Sequence, residues 1–421
     1  MQAIDWKKGS RAELVLDKIA SISKVLETGA VSYDGESYLT LMPVLHNLIV
    51  YKTEYSFQTK VMFREKAVSI CLKSGSITKL GFIKELRRQA SIFDQKKLER
   101  FYLTTSLSIR HGELPKVLKL PNSEAYLYSG PLPKKYECRK AHDAHWEAMF
   151  PNQSPLPQSY TGVVIAVNAK TGSDAFDIAM KDLNLFRGLL NLNFNSDESM
   201  TFGHANVKPL NKVMLGGMHC IHKKNGDLIE NNSFWYEAHF AERSPLSCTG
   251  ELSHHPEKIR KYIKLRLELI SRYPDSDKEK LFSAVARYAL ALDEFDYSAS
   301  VHKLWAAMES LLISSGQKSD VMIKRCSYTC IEPDFHAQVL MYLKDYRNSH
   351  IHQGVNDGEA ERHCYSLQRY FRHMIAFYFG FSSFFNDLNE ANNFLDNSND
   401  ITILNRQIEL LQRAKKYVQV I

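Results

Sequence analysis

The chain has 421 residues, of which 44% are hydrophobic and 24% are charged. This composition excludes an intrinsically disordered protein, and the length exceeds one ordinary core, so we expect two or three domains. No run of about 18 uncharged apolar residues occurs, which excludes a membrane-spanning helix. The charged N-terminus lacks the apolar run of a signal peptide. We therefore expect a cytoplasmic protein with no membrane partner.

The formal net charge of +7 is unevenly distributed along the chain. From Asp277 to the end there are 16 Lys and Arg against 18 Asp and Glu, which leaves 38 against 29 before that point. The N-terminal part is therefore basic. A basic surface can dock a polyanion such as RNA, although many proteins without a nucleic-acid partner also carry such a charge.

Residues 1–250 mix helical and strand-like patterns, and we predict an α+β region with a recognition or regulatory role. Apolar residues at helical spacing predict a helix over 12–27 that stops at Gly29. Irregular loops containing several prolines occur near 131–157. They mark a break at which this region could divide into two subdomains.

The second half of this region shows a strand, a helix and a hairpin. The apolar run over 161–167 predicts a buried strand, and a helix with Ser173 as its N-cap follows to Leu190. Asn225 and Gly226 lie between two strand-like segments, and Asn-Gly accepts the positive φ of a tight turn, which predicts a hairpin.

From about Pro256 onward Gly and Pro become scarce and helical patterns follow one another. The predicted helices lie near 256–273, 277–295, 299–314, 318–330, 333–350, 359–386 and 401–418. We assign residues 251–276 to a connecting helix and 277–421 to an all-α bundle. Aromatic side chains are dense between Tyr365 and Phe385, which suits either a central helix or a subunit interface.

The segment from Tyr346 to Gly354 carries the residue types that cut RNA without a metal ion. In that chemistry the 2′-hydroxyl of the RNA attacks the adjacent phosphorus, which requires a base and a cation. His352 can serve as base or acid near neutral pH, and Arg347 offers a permanent charge with a forked set of donors. Asn348 can orient the phosphate or the histidine.

The spacing of these residues limits how they can meet. Asn348 and His352 are four residues apart and share a helix face, whereas Arg347 and His352 stand about 140° apart around the axis. Gly354 marks a predicted helix end, where the last turn can distort, and a second copy across a two-fold axis could complete the cleft. His350 points elsewhere on a helix and is a secondary candidate.

The arrangement Arg-Asn-x(3)-His resembles the Arg-x(4–6)-His signature of HEPN domains (higher eukaryotes and prokaryotes nucleotide-binding), in which a polar residue usually follows the Arg. Upstream, residues 304–312 read Leu-Trp-Ala-Ala-Met-Glu-Ser-Leu-Leu and resemble the W-x-A-L-E-A-L-L helix of the ApeA-like branch, with Met308 where Leu is commoner. The resemblance covers about residues 277–421, and residues 1–250 resemble no family that we identify.

The resemblance implies a HEPN-type helical bundle that dimerises and cuts RNA as a metal-independent endoribonuclease, leaving a cyclic phosphate. Many such proteins act in anti-phage defence or toxin-type growth arrest. By position, Arg347 would hold the phosphate, Asn348 would orient it and His352 would be the acid or base, while Glu309 could pair with the Arg. The implied partners are RNA, a second copy of the chain, and a phage-derived trigger or a cognate inhibitor, with no cofactor.

A non-catalytic function is the alternative. Arg and His side chains also favour the negative end of a helix dipole, so the motif can be a simple helix C-terminus. The helical domain would then dimerise or bind a nucleotide or RNA and would serve a regulatory N-terminal region. Trp305 is expected in the core and not on a base-stacking surface.

Two short groups of histidine and cysteine suggest zinc, which prefers nitrogen and sulfur ligands. They are Cys138, His142 and His145, and His219, Cys220 and His222. Neither group completes a four-ligand pattern, and residues three apart on a strand face opposite sides. We therefore predict no metal site.

Overall fold

The computed structural model of the chain describes residues 4–195, 209–229, 234–248, 252, 255–314, 316–353 and 358–418, with the backbone alone for 351–353. An N-terminal α/β region with a sheet precedes a C-terminal helical region, as the sequence predicts. Within these residues, no helix combines the length and the apolar character that a membrane crossing requires.

The chain forms two compact units, each assembled from separate stretches of sequence. Unit 1 comprises Met1–Tyr102, Val167–Ile178 and Ile221–Ser233, and unit 2 comprises Leu103–Ala166, Ala179–Cys220 and Phe234–Ile421.

The described residues 4–94 of unit 1 form two antiparallel strand pairs, β1 with β4 and β2 with β3, and four helices. The elements are β1 Ile4–Trp6, α1 Ala12–Ser21, β2 Ser23–Val25, β3 Val31–Tyr33, α2 Gly35–Asn47, β4 Ile49–Tyr51, α3 Phe57–Lys73 and α4 Lys79–Asp94. Helices α3 and α4 pack against each other, and Phe63, Val68, Phe82 and Leu86 are completely buried in the core of the unit.

The prediction of one helix over 12–27 is wrong in its second half. Helix α1 ends at Ser21, and β2 pairs with β3 through Val25 and Val31. Gly29 has a φ of +76° and lies in the turn between these strands, where its amide donates to the carbonyl of Leu26. The glycine that suggested a helix stop therefore closes a hairpin, because it tolerates the left-handed conformation that the turn requires.

A six-stranded sheet has the order β10-β9-β5-β8-β7-β6. Its strands are β5 Glu99–Leu107, β6 Val117–Lys119, β7 Ser123–Tyr128, β8 Thr161–Ala169, β9 Met218–His222 and β10 Phe234–Tyr236. Between β7 and β8 the chain forms a 3₁₀ segment, Lys134–His142, and α5, Asp143–Met149. The predicted buried strand is confirmed by β8, and the predicted hairpin by the antiparallel pair β9 and β10, with Gly226 at a φ of +99°.

Helix α6, Gly172–Phe194, follows β8 as the sequence predicts, but Ser173 is not its cap. The helix begins one residue before Ser173, and the hydroxyl of Thr171 accepts a hydrogen bond from the Asp174 amide at 3.2 Å. Thr171 therefore satisfies an amide of the first turn, which is the role that the sequence pattern predicts for Ser173.

The helical region contains eight helices among the described residues. They are α7 Pro256–Ile270, α8 Asp275–Leu292, α9 Tyr297–Leu312, α10 Ser319–Tyr328, α11 Pro333–Gln353, α12 Ala360–Gly380, α13 Leu388–Leu395 and α14 Ile401–Val418. Helix α9 packs most extensively on α8 and α12, so it forms the centre of the bundle. The side chain of Asp296 caps its N-terminus by accepting from the amides of Ser298 and Ala299.

The aromatic-rich segment is shorter as a helix than predicted, since α12 ends at Gly380. Most of its rings fill the core of unit 2, and Phe371 and Tyr378 are completely buried. Phe381 and Phe384 lie beyond the helix and are exposed. The aromatic content therefore reflects a central helix and does not by itself indicate a subunit interface.

Two further helices differ in how they relate to the bundle. The sequence prediction missed α13, which begins where the carboxylate of Asp387 accepts from the Glu390 amide. Helix α14 has the predicted bounds, and none of its residues is buried.

Candidate functional site

Helix α9 places three side chains with hydrogen-bonding groups on one face. His302, Trp305 and Glu309 follow one another at intervals of three and four residues, so they form one stripe along the helix. The Trp305 ring is fully buried, which confirms its assignment to the core, and its indole Nε1 donates to Glu309 Oε1 at 2.8 Å. The Ser319 hydroxyl donates to the same oxygen at 2.7 Å, so two neutral donors fix the carboxylate.

Arg347 on α11 lies next to this fixed carboxylate. Its Nη1 is 3.9 Å from Glu309 Oε1, and its guanidinium carbon is 5.9 Å from the centroid of the Trp305 ring. Nη1 also contacts Asn348 Oδ1 at 3.5 Å. About a quarter of the Arg347 side chain is exposed. The loose ion pair orients the guanidinium and leaves donors that can bind an incoming anion.

A histidine pair lies between the same two helices. His302 Nε2 is 3.1 Å from His350 Nδ1, so one of the two nitrogens must carry the proton that the other accepts. Burial lowers the pKa of His302, and the neighbouring charges of His350 and Arg347 lower it further. Among the described residues no group accepts from or donates to His302 Nδ1, which is buried. Burial and these neighbouring charges therefore favour the neutral form of His302.

Tyr346 packs against His350, the member of this pair that lies on α11. Its hydroxyl is 3.0 Å from the Ser298 hydroxyl on α9, and its ring lies against His350 and against His363 of α12. Tyr346 itself is buried. The three helices α9, α11 and α12 thus fix the position of His350 through packing.

His302 was missed by the sequence reasoning, although a signal for it exists. It precedes Glu309 by seven residues, which is two helical turns, and it shares the face that carries Trp305. The stripe on α9 extends one turn toward the N-terminus beyond residues 304–312, the segment that resembles the family, and following it in that direction would have found His302.

His352 is the candidate whose geometry follows only from the backbone, because its side chain lies outside the described residues. Helix α11 continues through Gln353, so Arg347 and His352 stand about 140° apart around the axis and about 7.5 Å apart along it. The predicted distortion does not occur before Gln353, and Gly354 itself lies outside the described residues. His350, three residues after Arg347, stands on the same side of the helix as the arginine.

The two groups that suggested zinc have other partners. His219 Nδ1 contacts the Thr105 hydroxyl at 2.8 Å, and its Nε2 contacts Glu237 Oε1 at 2.9 Å. His222 Nδ1 contacts the carbonyl of Gly226, and the ring of His142 stacks on Phe234. In the part of the chain that the structure describes, no three His, Cys, Asp or Glu side chains are grouped to hold a metal ion.

Comparisons with protein-family models, with curated proteins and with solved structures find no match to this chain.

Proposed function

We propose that the chain is a metal-independent endoribonuclease with a HEPN-type helical domain, acting in anti-phage defence or toxin-type growth arrest. The observation that supports the proposal is the contact between Glu309 and Arg347. These residues belong to the two separate segments that resemble the family, and α9 and α11 bring them together with the histidine pair His302 and His350. A cation, a carboxylate and titratable imidazoles thus share one partly exposed site.

The proposed chemistry uses the nucleophile of the RNA itself. A base removes the proton of the 2′-hydroxyl, the oxygen attacks phosphorus, and the 5′-oxygen leaves with a proton from an acid. The products are a 2′,3′-cyclic phosphate and a 5′-hydroxyl. Arg347 stabilises the charge on the phosphoryl oxygens, Asn348 orients the phosphate, and His352 is the acid or base.

A second imidazole is needed if one group removes a proton while another donates one. His350 stands on the same side of α11 as Arg347, and its Nδ1 is held by His302. His350 of the same chain can therefore fill the second role. His352 can reach the phosphate at Arg347 only by a change in the last turn of α11 or from a second copy of the chain.

We propose a homodimer through the helical domain, and α14 offers the surface that supports it. Ile401, Leu404, Ile408 and Leu411 recur at intervals of three and four residues. Isoleucine and leucine in alternation at these positions are typical of parallel two-stranded coiled coils. The ion pairs that Glu409 forms with Arg406 and Arg413 belong to the other face, so the apolar face is available to a partner.

The N-terminal part has a net basic charge and would provide recognition in this proposal. The proposed partners are RNA, a phage-derived trigger or a cognate inhibitor. The basic charge would increase the association rate of an anionic partner through long-range electrostatic attraction. The proposal includes no cofactor, because each chemical role is assigned to a side chain or to the RNA.

Cleavage of a single-stranded RNA in EDTA tests the reaction type. The proposal predicts that cleavage persists with the chelator, that the products carry cyclic phosphates, and that one 2′-deoxy nucleotide at the cut position abolishes the cut there. Cleavage that requires a divalent ion, or that continues at the 2′-deoxy position, would contradict the proposed reaction.

The second candidate is a non-catalytic module that binds RNA or a nucleotide. The regular course of α11 through Gln353 favours it, because Arg347 and His352 then stand about 140° apart and do not converge on one phosphate. This candidate predicts that the wild type binds RNA without cutting it. Binding with no cleavage under any activating condition would replace the first proposal with the second.

A further inference from the structure

A second cluster of arginines lies in unit 2 on a surface that the proposed nuclease site does not use. A cavity of about 300 Å³ lies between α6, α7 and α12. Arg266 of α7 and Arg369, Arg372 and His373 of α12 line it. None of the nine described residues that line it is an Asp or Glu. Three arginines therefore line one cavity, and none of the described residues in its wall carries a carboxylate.

The arginine of α7 is held by aromatic rings. The guanidinium carbon of Arg266 is 5.0 Å from the centroid of the Tyr262 ring and 5.3 Å from that of Phe379. The Tyr262 hydroxyl donates to the carbonyl of Leu189, which fixes its ring. The Arg266 side chain is hydrogen-bonded with Tyr262, while its Nε is buried and has no acceptor among the described residues. A buried donor of a charged group without an acceptor is costly unless a ligand satisfies it.

The three polar side chains that α12 contributes differ in how they are held. Arg372 Nη1 donates to the carbonyl of Asn195 at 3.1 Å, at the C-terminal end of α6. His373 Nε2 contacts the Thr329 hydroxyl at 2.8 Å. Arg369 lines the cavity and is exposed, and its side chain is hydrogen-bonded with Tyr370. The cavity is thus lined by two arginines held by neighbouring groups, Arg266 and Arg372, and by the exposed Arg369.

We propose that this cavity binds a phosphate group of a nucleotide or of an RNA backbone. Guanidinium groups match phosphate because their forked donors address two oxygens at once. The aromatic rings that hold Arg266 limit its motion, so less side-chain entropy is lost when the phosphate binds. The volume of the cavity, about 300 Å³, lies at the lower end of the range for ligand sites. This volume suits one phosphorylated unit and not a long polymer segment.

The inference stands apart from the proposed cleavage, since it concerns α7 and α12 and requires no reaction. The test therefore uses probes that cannot be cut by 2′-hydroxyl attack. ATP and a short, fluorescently labelled 2′-O-methyl RNA are titrated separately onto the full chain in EDTA. The two probes distinguish a free nucleotide from an RNA backbone as the source of the phosphate.

Arg369→Ala is the main variant, because the side chain is exposed and its removal should leave the fold intact. Arg266→Ala is the second variant, and circular dichroism monitors its folding. The matched control is Arg260→Ala, which removes the same charge from α7 at an exposed residue paired with Glu257. Each cavity variant should weaken binding of at least one probe about tenfold, which corresponds to about 1.4 kcal/mol, while the control changes it less than about twofold.

The dependence on salt adds a second readout. For a single-stranded probe, removal of one phosphate contact should reduce the slope of log affinity against log salt by about 0.7. Weakening of ATP alone assigns the cavity to a nucleotide, and weakening of the 2′-O-methyl RNA assigns it to a polynucleotide backbone. If both cavity variants bind both probes as the wild type does, or if Arg260→Ala weakens binding equally, the proposal is overturned.

Discussion

Glu309 can act in the site through its charge or through its hydrogen bonds, and two substitutions separate these roles. In the wild type, Trp305 Nε1 and the Ser319 hydroxyl lie 2.8 and 2.7 Å from Glu309 Oε1. Glu309→Gln keeps a carbonyl oxygen that can accept from both donors. Glu309→Ala removes the acceptor and leaves the indole N–H of a fully buried ring without a partner. The two variants therefore differ in hydrogen bonding, while both lose the charge.

The expected magnitudes follow from these contacts. Arg347 Nη1 lies 3.9 Å from Glu309 Oε1, and about a quarter of each side chain is exposed to solvent. Loss of this ion pair should therefore lower the free energy of unfolding by at most about 1 kcal/mol. An unsatisfied buried donor costs about 1–3 kcal/mol, and the lost bond from Ser319 adds about 1 kcal/mol. We therefore expect Glu309→Gln to lower the free energy of unfolding by less than about 1 kcal/mol and Glu309→Ala by about 2–4 kcal/mol.

Urea unfolding followed by fluorescence measures both values. Glu279→Ala is the control, since it removes an exposed carboxylate of α8 that forms an ion pair with Lys181, and it should change stability by less than about 1 kcal/mol. A Glu309→Gln variant as unstable as Glu309→Ala would refute this reasoning, because the charge of Glu309 would then dominate over its hydrogen bonds.

Three further predictions concern other parts of the chain. Burial lowers the pKa of His302 in the folded state. Below about pH 6.5 the unfolded chain therefore binds more protons than the folded chain, and the free energy of unfolding falls as the pH falls. His302→Gln should lessen that fall in urea titrations at several pH values, and an unchanged fall would contradict this prediction. Leu411→Glu on α14 should halve the mass in light scattering without loss of helix, whereas a monomeric wild type would exclude this dimer. Gly217→Ala would place its Cβ 2.0 Å from the Trp146 ring and should destabilise the protein by about 1–3 kcal/mol. Gly35→Ala has open space around its Cβ and should change stability by less than about 0.5 kcal/mol, with both variants measured by calorimetry.

The helices of the C-terminal region could be predicted because each has a long periodic pattern and clear boundaries. Pro333 begins α11, as its fixed φ suggests. Helix α13 was missed because it has only eight residues in an Asn- and Asp-rich stretch. In such a stretch a cap such as Asp387 resembles an ordinary turn residue.

Errors in the N-terminal region arose where one local pattern fits two structures. Ile22 and Val25 continue the apolar spacing of α1, yet Val25 pairs with Val31 in a hairpin. Pairing between strands is a tertiary interaction, and it outweighs helix propensity in so short a segment. Periodicity alone could not reveal it.

The candidate site was predictable as two segments but not as one constellation. Glu309 and Arg347 could be named from the resemblance, and their contact could be anticipated. His302 and its pairing with His350 depend on how α9 lies against α11, which sequence spacing does not define. The dense aromatics of α12 likewise could not be assigned to a core or to an interface until their neighbours were known.

The most direct test of the central claim compares cleavage of one RNA in EDTA by the wild type, His352→Ala and His255→Ala. His255 is an exposed histidine just before α7 and serves as the matched control. We predict that the wild type and the control leave 2′,3′-cyclic phosphates at equal rates and that folded His352→Ala is slower by about 10²–10⁴-fold. Undiminished cleavage by folded His352→Ala would contradict the assignment of this residue as the acid or base.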